Sequence, residues 1–144
     1  MKSILTTIAT TAAVAPLMLL GTASSVDAQE TKEEYVSQAE RTTLVEEALP
    51  TVEGKIISIN HLTLPAGFEG GRHSHTGPTY VYVISGTFKI EEEGKPVQTF
   101  EAGELYQEPL GQPMQAFNES ADEPIELLLI QVQDEGEPLM VKED

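Results

Sequence analysis

The segment His73-Ser74-His75 is the part of this sequence most able to do chemistry. On an extended strand, residues two apart point to the same face, so both imidazoles can meet one ligand. Imidazole suits Fe, Mn, Ni, Cu and Zn, which makes a divalent transition metal the cofactor class to expect. Taken alone, a His-x-His pair is weak, because two loop histidines are usually solvated or structural. Three further residues bear on the metal reading. Glu108 precedes Pro109 and is either a carboxylate ligand or a solvated rim charge. Met114 is either a soft thioether ligand or an apolar barrel filler; two His and one Met would suit copper. His61 reads better as an ordinary surface or structural histidine than as a ligand. Arg72 adjoins the pair and would either anchor an anionic substrate group or form a surface salt bridge. Thr79 and Tyr82, with Met114, complete the residues expected to touch a substrate. The aromatic residues are otherwise read as core or wall.

The elements around the pair are short and punctuated by Gly and Pro. Lys55 to Leu64 is rich in β-branched residues and stops at Pro65-Ala66-Gly67. Thr79 to Ile84 is the strongest strand. Thr87 to Ile90 and Val97 to Phe100 make a hairpin across a charged tip. Leu105 to Glu108, Met114 to Asn118 and Ile125 to Val132 supply the remaining strands. No convincing amphipathic helix falls between residues 54 and 133. This pattern predicts an all-β sandwich or barrel.

The spacing around the histidines is more specific than the pair itself. Gly67 is followed by five residues, His73-x-His75, three residues, Thr79, six residues and Gly86. Gly103 is followed by five residues, Pro109-x-Gly111, two residues, Met114, three residues and Asn118. Over roughly residues 54–133 the chain resembles the cupin superfamily, in particular small exported single-domain cupins of the cupin-2 type. The resemblance implies a double-stranded β-helix (jelly roll) with one small site in the barrel mouth. It also implies a homodimer, formed by strand exchange or sheet stacking. Two positions depart from the family. Its glutamate ligand falls at Thr79 and its second-motif histidine at Met114. The usual three-His, one-Glu site is therefore incomplete. If the chain is catalytic, the resemblance implies a metal-dependent oxygenase, isomerase or decarboxylase acting on a small molecule. The competing readings are a metal-free, non-catalytic small-molecule binder and a periplasmic copper-binding protein using His73, His75 and Met114.

Residues outside the barrel carry address and charge. Lys2 is the only charge before Asp27, and the apolar stretch between them ends at Val26-Asp27-Ala28. This reads as a signal peptide over residues 1–28, with a periplasmic or secreted product and no membrane contact after cleavage. Residues 29–53 read as an acidic N-terminal arm with a short helix or strand, and 134–144 as a polar C-terminal tail. The 144 residues carry 24 Asp and Glu against 8 Lys and Arg, a formal charge of −16. That acidity argues against nucleic acid and anionic membranes as partners and leaves a small-molecule ligand. The chain has no cysteine, which removes disulfides and thiolate sites.

Overall fold

The computed structural model describes residues 33–144, and the signal-peptide reading lies outside them. Ten strands and no helix make up the described residues. Two five-stranded antiparallel sheets face each other. The first runs β1 (Glu40–Ala48), β2 (Lys55–Leu64), β9 (Ile125–Asp134), β4 (Thr79–Ser85), β7 (Leu105–Glu108). The second runs β10 (Met140–Lys142), β3 (His73–His75), β8 (Met114–Phe117), β5 (Thr87–Glu92), β6 (Gln98–Glu101).

Alternation decides which side chains enter the interior. In β4, Thr79, Val81 and Val83 are buried while Tyr80, Tyr82 and Ile84 are exposed. Leu64, Phe88, Ile90, Tyr106, Leu127 and Leu129 join Val81 and Val83 in one apolar core. Burying a side chain such as Phe88 contributes about 2–3 kcal/mol.

Two positions show why the turns must be as they are. Gly86 turns β4 into β5 with φ of 82°, which L side chains rarely adopt. Gly77 lies against β9 so closely that a Cβ there would sit 1.8 Å from the Val132 carbonyl oxygen. That contact brings the end of β9 beside Thr79. Asn118 fixes the corner after β8. Its amide donates to the carbonyls of Leu64, Pro65 and Glu123 at 3.2, 3.0 and 2.8 Å.

The flanks are more ordered than their composition suggests. Residues 40–48 of the acidic arm form β1, which pairs with β2 through a bulge between Thr43 and Val45. The polar tail contains β10, paired with the histidine strand so that Met140 faces His75 and Lys142 faces His73. Cross-strand hydrogen bonds supply what local apolar content does not.

Candidate functional site: a buried histidine–carboxylate pole in the barrel

Strand β3 holds both histidines on one face, with ring centroids 5.2 Å apart and planes near perpendicular. Both rings are buried. Nδ1 of His73 lies 3.0 Å from the Gly71 carbonyl, which only accepts, so Nδ1 carries the proton. The ring stacks on Tyr35 at 4.9 Å, and the Tyr35 hydroxyl accepts from the Gly71 amide at 2.7 Å. Burial and the charge of His75 lower the His73 pKa, against the opposing pull of Gly71, Glu108 and Glu143. Neutral His73 thus presents a lone pair at Nε2.

His75 is held differently. Its Nδ1 faces the Gln131 amide oxygen at 2.7 Å and the Leu139 carbonyl at 3.2 Å. Two acceptors there require the proton on Nδ1. The amide orientation of Gln131 follows from its other end, which donates to Thr76 and Gln133. Nε2 of His75 then meets Glu108 Oε2 at 2.7 Å, with the side chains 1% and 4% exposed. The two atoms are at ion-pair distance but lack hydrogen-bond alignment with each other or with any other group. Burial alone would lower the His75 pKa. The Glu108 charge, with the acceptors Gln131 and Leu139 at Nδ1, outweighs it and raises the pKa.

Glu108 reaches His75 because β7 pairs with β4 and sets Glu108 opposite Thr79. Thr79 is fully buried. Its hydroxyl proton is shared between the Gly77 carbonyl at 2.8 Å and the Gln131 oxygen at 3.0 Å. Gln131 has no precedent in the two sequence motifs. Its signal was an amide on the inward-facing side of an otherwise apolar strand.

A cavity of about 300 Å³ opens beside this pole. Leu62, Leu64, Phe68, Val81, Phe88 and Leu129 form much of its wall, while His73 and Glu108 supply polar atoms. Glu34, Tyr35 and Arg41 from the N-terminal flank also line it.

The structure brings His73, His75 and Glu108 together and sets the other expected residues apart. Met114 is fully buried opposite His73 and does not line the cavity. Thr79 is likewise inside but turned toward Gln131. Tyr82 lies on the outer face of β4, 38% exposed, because the inward places go to Val81 and Val83. Arg72 lies near the surface, with Glu93 at 3.4 Å. His61 faces outward on β2, 3.7 Å from Glu126.

Among the described residues, no group of three or more His, Asp or Glu side chains converges as a metal cage. The four-donor site of the family does not fit here, since one position offers an engaged hydroxyl and another a thioether.

The family model for the cupin domain matches residues 60–131, half of the chain, and the protein belongs to that family. Solved structures agree on the double-stranded β-helix. A cupin-like protein from Thermotoga maritima is 18% identical, with a TM-score of 0.59 over 81% of this chain and 88% of its own. A conserved protein of unknown function from Streptococcus pyogenes is 27% identical, with a TM-score of 0.53 over 69% of this chain and 77% of its own. The DMSP lyase DddQ from Ruegeria pomeroyi is 19% identical, with a TM-score of 0.58 over 88% of this chain and 59% of its own. No curated protein matches the sequence.

Proposed function

We propose that this cupin binds a small molecule in the barrel cavity, with an apolar body against Leu64, Phe68, Phe88 and Leu129. One end of that molecule donates hydrogen bonds to Glu108 and His73. The observation that carries this reading is the cavity itself: about 300 Å³, apolar in most of its wall, with an acceptor-rich pole. Volume and polarity of this kind are typical of small-molecule sites. A hydroxyl or amine is the complementary group, because His73 offers Nε2 and Glu108 a carboxylate.

Native mass spectrometry of the purified protein tests this reading. A co-purifying small molecule that is lost in an Ala116→Phe variant of unchanged fold is the expected result. Ala116 lines the cavity, and a phenyl ring there would fill it. Retention of the same molecule by that variant would place it elsewhere.

A second reading rests on the unaligned approach of His75 Nε2 and Glu108 Oε2. A divalent transition metal held by these two atoms, with solvent or ligand filling its other positions, would account for that approach. Elemental analysis separates the readings. Stoichiometric metal that disappears in His75→Ala supports the ion, and metal-free protein from supplemented medium removes it. Copper held through His73, His75 and Met114 would weaken in Met114→Leu. No reaction step is assigned to either reading.

Export and self-association belong to the same proposal. The pattern of residues 1–28 supports a periplasmic or secreted protein. The resemblance to small cupins supports a homodimer, and sedimentation tests it.

A further inference from the structure

Most of the wall of the apolar cavity is strand. Among the described residues, two lining segments lie outside the named strands. Phe68 and Gly70 form one, and β8 holds it on both sides. The Gly70 amide donates to the Ala116 carbonyl and the Asn118 amide to the Phe68 carbonyl, each at 2.9 Å. Residues 34–39 form the other. This strap runs from β10, an edge of the second sheet, to β1, an edge of the first. Tyr35, Val36, Ser37 and Ala39 face the cavity from it.

The strap is fastened near one end only. A single antiparallel bridge joins Glu34 to Val141. The Tyr35 amide donates to the Met140 carbonyl at 3.0 Å and the Lys142 amide to the Glu33 carbonyl at 2.8 Å. The ion pair of Glu33 with Lys142 beside them is exposed and adds little. The Tyr35 ring stacks on His73, and its hydroxyl takes the Gly71 amide at 2.7 Å. Beyond Tyr35 the hold lapses. Val36 is 79% exposed, and residues 36–39 make no backbone hydrogen bond to either sheet among the described residues. The Ala39 amide turns to the Ser37 hydroxyl instead. By contrast, β2 is paired along its length with β1 on one side and β9 on the other. A segment held by so few bonds opens locally at far lower cost than a strand inside a ladder.

We propose that residues 34–39 are the gate of the apolar cavity. A ligand enters and leaves when the strap lifts from β10 and Tyr35 swings off His73. The inference rests on the reading of that cavity as a ligand site. The strap closes again over the occupant, with Tyr35 and Ala39 packed back against the core. It therefore sets the rates of exchange and leaves affinity to the cavity.

The chain has no cysteine, so a lock can be built into it without competing thiols. The bonds on either side of Glu34 and Val141 make them a non-hydrogen-bonded pair. The Cα atoms of such pairs lie about 4.5 Å apart, within reach of a disulfide. Stopped-flow fluorescence with 2-naphthol, an apolar body bearing one hydroxyl, measures exchange in the full chain carrying Glu34→Cys and Val141→Cys. Closing the disulfide should slow entry and release by about tenfold or more with Kd unchanged, and thiol reduction should restore both rates. Tyr35→Phe, which loses only the Gly71 bond, should speed release about fivefold. Equal rates in the oxidised and reduced chains, or unchanged release in Tyr35→Phe, would overturn the gate. If Ala116→Phe still excludes the probe, the cavity reading survives that failure. No binding of 2-naphthol, or binding that Ala116→Phe leaves intact, would remove the cavity reading and the gate with it.

Discussion

Thr79 and Glu108 are cross-strand partners, and that pairing reshapes the site. Thr79 occupies the position at which cupins resembling this one carry a glutamate. The structure supplies a carboxylate from the adjacent strand instead and aims it at His75. The carboxylate that meets His75 thus comes from β7 rather than from β4.

Removing that acid should be costly. Glu108→Ala leaves a buried imidazole without its counter-charge, so unfolding free energy should fall by about 3 kcal/mol. Urea denaturation at pH 6 measures it. A loss below about 0.5 kcal/mol would show that the pair behaves like an exposed one.

The two histidines should titrate on opposite sides of the ordinary value of 6.5. The raised His75 pKa contributes stability that is complete below 6.5 and is lost as pH rises through its folded value. The lowered His73 pKa contributes stability present above 6.5 and lost as pH falls through its folded value. NMR titration of the ring protons, assigned with His73→Gln and His75→Gln, checks the order. A reversed order would refute the proton placement argued from Gly71 and Gln131.

Tyr35 should govern the protonation of His73. Tyr35→Phe keeps the stacked ring and loses only the bond from the Gly71 amide, at a cost of about 1 kcal/mol. Tyr35→Ala uncovers the imidazole and should move its pKa back toward 6.5, since burial is the main cause of the lowering. An unmoved titration in Tyr35→Ala would mean that other groups desolvate the ring.

Gly77→Ala should fail to fold or lose most of its stability, because the new methyl meets the Val132 backbone at 1.8 Å. Gly111→Ala provides the contrast. Its φ is +66° but no atom lies within 4 Å, so only backbone strain of about 1–2 kcal/mol is expected. Thermal melts of the two variants give the comparison, and equal melting temperatures would contradict it.

Much of the barrel was legible because turns and alternation are local. Lys55 to Leu64 reads as a strand from its β-branched residues and is one, and the two glycine-framed motifs mark the corners. Alternation about Val81 and Val83 turns Tyr82 outward, against the expectation that it would touch a substrate. What could not be read arises from contacts between distant residues. β1 is acidic and weakly apolar, and its strand form depends on pairing with β2. The stacking of Tyr35 on His73 and the proton placement imposed by Gln131 on His75 have no neighbour in sequence to announce them.

Part of the apolar cavity's wall comes from opposite ends of the described chain. The Tyr35 amide donates to the Met140 carbonyl at 3.0 Å, and both side chains line the cavity. Proteolytic trimming at either flank would therefore breach the pocket while leaving most of the barrel's strand pairs intact. Ligand retention should act as a sensitive gauge of intact termini, failing well before the bulk β-sheet signal changes.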